Sequence, residues 1–172
     1  FLVEGEKSVL EILNSRYKIN ILLATKRFLE IYRHQIPGKQ PEVIELSQTE
    51  LEKAGSLKTN NGAIAVVEMP PEGSLSEDNI RILPVFDNLQ DPGNLGTILR
   101  ICDWFNIKDI VLSNGSVDVY SPKVVQASMG SLFRVNVYYE NLLNFLSSGN
   151  LPFFAAVLEG EDIHACRFPG RG

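Results

Sequence analysis

Beyond Arg81 the chain alternates short apolar runs with stretches of helical periodicity, and few architectures satisfy that pattern. Residues 81–86 read as a strand, 93–105 as a helix, 109–112 as a strand and 121–129 as a helix. Residues 135–138 and 153–158 read as further strands around a helix over 140–146. Strands and helices in this order imply an α/β fold built from parallel βαβ units, with right-handed crossovers and helices on both faces of the sheet. Ligands of such sheets sit beyond the carboxyl ends of the strands, which directs attention to residues 87–100, 113–121 and 158–164.

The first third is patterned differently. Residues 6–15 place Val9, Leu10, Ile12 and Leu13 on one side of a helix and Glu6, Lys7, Glu11 and Asn14 on the other. An apolar run over 20–24 ends at Thr25, which can cap a helix to Tyr32. Residues 42–46 alternate as a strand does, Ser47 with Glu50 has the spacing of a capping box for a helix to Ala54, and Asn60-Asn61-Gly62 is a turn before a strand over 63–67. Then comes MPPEGSLSEDN, residues 69–79, rich in proline and small polar residues and without periodicity, which is linker composition. The expected division is a small α/β domain over 1–69, a linker over 70–79 and a parallel-sheet domain over 80–172.

Composition narrows the class. The 172 residues are 44% hydrophobic and 22% charged, which calls for a packed core, and Lys, Arg, Asp, Glu or Pro interrupts every stretch long enough to cross a membrane. The start lacks the basic, apolar and small-residue order of a secretory signal. Cys102 and Cys166 stand far apart, with no CxxC and only two histidines, so neither a zinc cluster nor a disulfide framework is supported; reduced thiols and a cytoplasmic setting are expected, with no metal. A net charge of −5 speaks mildly against a nucleic-acid binder, but the acid is unevenly spread. Residues 1–60 hold nine Lys or Arg against eight acids, and residues 61–172 seven against thirteen, so broad RNA contact falls to the first half or to a local patch.

One segment concentrates chemistry. Phe86-Asp-Asn-Leu-Gln-Asp-Pro-Gly-Asn-Leu-Gly-Thr-Ile-Leu-Arg100 runs from a strand end through a tight turn into a helix. Pro92, Gly93 and Gly96 tighten the turn and admit another group close to the backbone, and Asn94 can cap the helix. Helical projection gathers Leu95, Ile98, Leu99, Cys102 and Phe105 into an apolar stripe and leaves Thr97, Arg100, Asp103 and Trp104 on the other side. Arg100 thus stands away from the core, permanently charged and able to hold a phosphate. The same residue types also suit an ordinary β-turn, a cap and a solvated arginine. The segment is neither a P-loop nor a dinucleotide fingerprint, since Gly-Lys-Ser/Thr and G-x-G-x-x-G are both missing from it.

The string as a whole, however, resembles the first signature motif of the SpoU family of RNA 2′-O-ribose methyltransferases, a D-P-G-N-x-G-x-x-x-R frame with Asn94, Gly96 and Arg100 at its marked positions. That resemblance implies a catalytic role for Arg100 toward the ribose 2′-hydroxyl, with Asn94 helping to build the site. Asn106 departs from the pattern, where relatives usually place a glycine. A second segment, Ser121-Pro-Lys-Val-Val-Gln-Ala-Ser-Met-Gly-Ser-Leu-Phe-Arg-Val135, reads on its own as a helix with Ser121 as cap, Val124, Val125 and Met129 as packing and Gly130 as terminator. It is similar to the second SpoU motif, whose Ser-x-Gly falls on Ser128 and Gly130 and implies, with Gly96, a wall of the site or of a dimer interface. Phe1-Leu-Val-Glu-Gly-Glu-Lys-Ser-Val9 is similar to the opening of the accessory RNA-binding domain often found in front, which resembles the L30e fold.

A third family motif, with Asn-Glu-Gly-x-Gly and later Ser-Leu-Asn-Val, is not in the chain. The resemblance therefore implies an α/β knot (SPOUT) methyltransferase domain whose knot segment is missing, with Leu158 and Gly160 left as one wall of an S-adenosylmethionine site. It implies S-adenosylmethionine as cofactor, ribosomal or transfer RNA as partner and a homodimer. The expected activity is methylation of a ribose 2′-hydroxyl, with the isolated 172 residues inactive; the alternative is a non-catalytic RNA-binding protein on the same fold.

Overall fold

The structure is a computed structural model that describes residues 1–38, 41–57, 60–71, 73–76 and 80–172. Its first half builds a four-stranded sheet. A short strand β1 (Leu2–Glu4) leads into helix α1 (Glu6–Leu13), followed by β2 (Ile19–Thr25), α2 (Lys26–Tyr32), β3 (Glu42–Leu46), α3 (Gln48–Ala54) and β4 (Ala63–Val67). The strand order is β1-β4-β2-β3, with β2 and β3 parallel and β4 antiparallel to both of its neighbours. Local chemistry explains most boundaries. Thr25 caps α2 by accepting from the Phe28 amide, and Ser47 and Glu50 form the reciprocal capping box expected of them. Gly62 turns the chain into β4 at a φ of 89°, a left-handed value that suits glycine. Strand β1 was not apparent in the sequence pattern; its three residues are ordered by pairing with β4, some sixty positions away.

The second half forms a three-stranded sheet, β5-β6-β7, all parallel. Its elements are β5 (Val85–Phe86), α4 (Pro92–Trp104), β6 (Asp109–Ser113), α5 (Pro122–Ser128), β7 (Asn136–Glu140) and α6 (Leu142–Ser148). The central strand shows helices on both faces. Ile110 and Leu112 join the main apolar cluster with Leu95 and Leu99 of α4, whereas Val111 enters a smaller cluster with Leu142 and Phe145 of α6.

Two expected strands change. Of residues 81–86 only Val85 and Phe86 are strand, because Pro84 has no amide to donate and the backbone of Arg81 and Leu83 bonds instead to Gly172. Residues 153–158 form no strand at all: the segment beyond α6 is irregular and largely exposed, and its apolar run has no ladder partner among the described residues. Within the expected linker, residues 70, 71 and 73–76 are without regular structure, while residues 72 and 77–79 lie outside the described residues.

The main core does not stop at residue 69. Val3, Val9, Ile12, Leu22 and Phe28 belong to one cluster with Leu95, Leu99, Val124, Val125, Leu132 and Phe133. Aromatic rings cross the same boundary, with Phe1 against Tyr120 at 4.7 Å between centroids and Tyr17 against Phe133 at 5.6 Å. Burial in this contact raises the Tyr120 hydroxyl pKa well above the usual tyrosine range.

Candidate active site

Two loops at the carboxyl ends of the parallel strands are stitched together. After β5, the Asn88 amide donates to Ser113 Oγ (2.7 Å) and the Leu89 amide to Ser116 Oγ (3.1 Å). The Val117 amide returns a bond to the Leu89 carbonyl (2.8 Å), and Gln90 Nε2 reaches Asn88 Oδ1 and the Gly115 carbonyl. Asn88 sits at a φ of 49°, which asparagine tolerates better than most residues. None of Asn88, Gln90, Ser113 and Ser116 stood out in the sequence, because the bonds that join the two loops link positions 25 to 27 residues apart.

This platform launches α4. Pro92 occupies the first helical position and Asp91 the cap, its carboxylate accepting from the Asn94 amide at 2.7 Å. The expected cap, Asn94, is therefore one turn too late; it is a helical residue with an exposed side chain. Leu95, Leu99 and Cys102 are buried as the apolar stripe requires, but Phe105 is 70% exposed because it falls at the helix end, where the chain turns away.

Gly96 explains its own presence. A Cβ built there would lie 2.4 Å from the Ala127 Cβ, 2.7 Å from the Ala127 carbonyl carbon and 2.9 Å from the Ser128 amide nitrogen. Helices α4 and α5 cross at this point with backbone almost against backbone, so Gly96 and Ser128 are brought together by packing. Ser128 is fully buried, and its hydroxyl donates to the Val125 carbonyl at 2.9 Å. Ser121 occupies the cap position of α5 but makes no side-chain capping bond, and its buried hydroxyl has no partner among the described residues.

Helix α5 ends in two left-handed residues, Met129 at φ 51° and Gly130 at φ 91°. Met129, expected in the core, is 66% exposed instead, because the left-handed turn carries it outward. There it meets Arg100, whose Nη1 donates to the Met129 sulfur at 3.3 Å while Nη2 donates to Thr97 Oγ1 at 3.3 Å. Arg100 makes no salt bridge among the described residues. Gly130 does not face Arg100; a Cβ there would come 3.0 Å from Glu11 Cγ, on α1.

A second arginine behaves oppositely. Arg134 donates from Nε to both Asp103 carboxylate oxygens (3.0 and 2.9 Å), pairs through Nη2 with Asp103 (2.8 Å) and reaches Glu11 through Nη1 (2.5 Å). Ser131 adds a bond to Asp103 at 3.0 Å. The Arg134 bond, helped by Ser131, holds the Asp103 carboxyl below the usual carboxylate range, and Asp103 in turn raises Arg134. One arginine is thus consumed by two carboxylates, whereas the other is exposed, braced and open to an anion.

The sequence of residues 81–171 matches the family model of the SpoU rRNA methylase family, and residues 1–65 match the MRM3-like substrate binding domain. The chain belongs to the SpoU rRNA methylase family. A solved structure assigned to the TrmH family of RNA methyltransferases, from Porphyromonas gingivalis, superposes with a TM-score of 0.85 at 34% identity, covering 98% of this chain and 67% of that one. Human mitochondrial rRNA methyltransferase 3 is 30% identical over 118 residues, 63% of this chain and 28% of its own length. The Bacillus subtilis 23S rRNA (guanosine(2553)-2′-O)-methyltransferase RlmP is 29% identical over 149 residues, 85% of this chain and 56% of its own. The chain therefore spans about a quarter of the human relative and little more than half of the bacterial one. The α/β SpoU fold expected from the sequence is the fold observed.

Within this SpoU chain the two motifs are one packing unit, joined where Gly96 meets Ala127 and Ser128 and where Arg100 meets Met129. The expected donor-side residues are not part of it. Leu158 is fully exposed, and Gly160 is exposed with Val157 as its nearest neighbour, so the two frame no wall with the described residues. A groove of about 560 Å³ does open between the halves, lined in part by Glu4, Ser8, Leu57, Pro92, Val117 and Lys123, but neither Arg100 nor Asn94 lines it. Among the described residues no cluster of His, Cys, Asp or Glu is arranged to hold a metal ion, and no helix is long and apolar enough to cross a membrane.

Proposed function

We propose that this protein methylates a ribose 2′-hydroxyl in ribosomal or transfer RNA, with residues 1–69 as the accessory RNA-binding part, 70–79 as the linker and 80–172 as the methyltransferase part. The observation that carries the reading is Arg100: a guanidinium on a rigid helix, braced by Thr97 and Met129, exposed and without a carboxylate partner among the described residues. The names of the relatives, rRNA 2′-O-methyltransferases among them, support the substrate class. S-adenosylmethionine, present in solved relatives, would supply an electrophilic methyl group when bound. Leu158 and Gly160 as they stand do not build its site, so the chemistry of these residues lies on the acceptor side.

A ribose 2′-OH is a weak acid and a poor nucleophile, and it needs positioning and stabilisation of negative charge as its proton leaves. Arg100 can hold the adjacent phosphate or the developing alkoxide by charge-assisted hydrogen bonds. It does not act as the base, because loss of a guanidinium proton is too costly at neutral pH. Asn94, exposed at the start of the same helix, is assigned a supporting contact to the RNA. Exposed Ile101, Trp104, Phe105 and Met129 around Arg100 support a homodimer with the site at its interface.

The test is transfer of radiolabelled methyl from S-adenosylmethionine to RNA from cells lacking the gene, using the full-length protein. Arg100→Ala is expected to lower turnover by roughly 10²-fold or more, the scale of losing an oriented charge stabiliser. Unchanged turnover would remove Arg100 from the reaction. A second reading, a non-catalytic RNA-binding protein, is favoured by the acidic balance of residues 61–172, seven Lys or Arg against thirteen acids. It predicts RNA binding with no methyl transfer by the wild type.

A further inference from the structure

The segment between α5 and β7 touches both halves of the molecule within six residues. Its turn is tight: the Phe133 amide bonds to the Gly130 carbonyl (3.1 Å), and the amides of Arg134 and Val135 both bond to the Ser131 carbonyl (3.0 and 3.2 Å). Leu132 and Phe133 are buried and anchor it. Two successive left-handed residues precede the turn, one of them Met129, whose side chain makes that conformation cost about 1–2 kcal/mol. These bonds and the buried anchors tie the six residues into one compact turn. On one flank Gly130 lies against Glu11 and Arg134 pairs with it, both contacts made to α1 of the first half. On the other flank Ser131 and Arg134 bind Asp103 of α4, and Met129 braces Arg100, one turn earlier on the same helix.

We infer that Arg134 is a positioning residue that couples the accessory half, through Glu11, to the orientation of Arg100. The inference rests on the proposed role of Arg100 and adds to it a route by which RNA seated on the first half is registered at the reacting end. Stability does not account for the Arg134–Glu11 contact. The Arg134 and Glu11 side chains are 42% and 47% exposed, and ion pairs so open to solvent contribute little to folding. What the fork of a guanidinium adds is geometry: three nitrogens committed to two carboxylates on two helices fix the angle between those helices. If α1 shifts, Glu11 moves Arg134, and the turn that Arg134 ends carries the Met129 sulfur with it.

The test is a double-mutant cycle on the full-length protein, with Glu11→Ala as the mild arm, since it removes an exposed side chain far from the chemistry. Turnover at saturating RNA is expected to fall roughly threefold or more in Glu11→Ala and at least as much in Arg134→Ala, on the scale of coupling mutations remote from both ligands. The double variant is expected to be no worse than Arg134→Ala alone. Additive losses would overturn the coupling. The second readout needs no reaction: the side-chain Nε–Hε resonance of Arg100 should shift in Glu11→Ala while thermal unfolding stays unchanged. A shifted resonance in a protein that transfers no methyl group would sink the proposed activity and keep the coupling. Normal methyl transfer with an unmoved Arg100 resonance in Glu11→Ala would sink the coupling and keep the activity.

Discussion

Helices α4 and α5 and the segment from Gly149 to Gly172 are both rich in large apolar side chains, yet they end in opposite states. Leu95, Leu99, Val124 and Val125 are buried, whereas Phe153, Phe154, Val157, Leu158, Ile163 and Phe168 are half or more exposed, Phe154 and Phe168 in ring contact at 4.8 Å. Composition does not separate the two regions. Small residues at a crossing do: Gly96 on one helix and Ala127 and Ser128 on the other let two backbones meet, and the larger residues around that point then exclude water from each other. The later segment meets the second half only at its ends, through Leu151 on the smaller apolar cluster and through Gly172 on the backbone of Arg81 and Leu83, among the described residues.

The strongest way to break this account is to fill the crossing. Gly96→Ala would gain about 1 kcal/mol of helix propensity. Against it stand contacts of 2.4 to 2.9 Å, two of them to backbone atoms of α5 that no rotamer change can move. Overpacking a rigid site costs typically 1–3 kcal/mol, and this one lies at the upper end or past it, so a net loss of about 2 kcal/mol is expected in denaturant unfolding. Adding Ala127→Gly removes only the Cβ contact and should restore part of the loss. A neutral Gly96→Ala would mean that the helices are held apart and that the two motifs do not form one unit.

How far the sequence foretold the molecule follows from the range of each interaction. Strands β3 and β4 and helix α3 stand where patterning put them, because a capping box, a turn and an alternation are all written within a few positions. The parallel order of the second sheet was legible for the same reason, and so was the outward position of Arg100. What was not legible is non-local. Arg134 and Glu11 are 123 positions apart, β1 exists only through β4, and the outward swing of Met129 depends on a left-handed turn. The apolar run at 153–158 was patterned as a strand, but pattern does not supply a neighbour.

A smaller effect sharpens the start of the ordered region. Asp91 and Asn94 are both good capping residues; the sequence reading chose Asn94, although Pro92 favours the residue before it by occupying the first helical position. Asp91→Ala is expected to cost about 1 kcal/mol, because the Asn94 amide loses its acceptor at 2.7 Å. Asn94→Ala should change unfolding by less than about 0.5 kcal/mol, as for exposed substitutions generally. Equal costs would mean that the helix frays past Pro92 and that Asn94 takes over as cap. With stability unaffected, any loss of methyl transfer in Asn94→Ala would then report on the reaction and not on the fold.

The smallest expected effect bears most directly on the contrast between the two regions. Leu158 is as apolar as Leu99, and burying either side chain would contribute on the order of 2 kcal/mol. Leu99→Ala, in the shared core, should lose roughly 2–5 kcal/mol. Leu158→Ser, at a fully exposed position, should shift unfolding by less than about 0.5 kcal/mol. The comparison is made in the 172-residue chain without added cofactor and then with S-adenosylmethionine. A loss above about 1 kcal/mol without cofactor would mean that the tail is packed in solution and that exposure at residue 158 is not its resting state. If the loss appears only with S-adenosylmethionine, binding energy is what orders the tail, as linkage requires of any ligand that favours one arrangement of the chain. In that case the expected wall at Leu158 and Gly160 forms by coupled folding, and the donor side of the site is built at the moment it is filled.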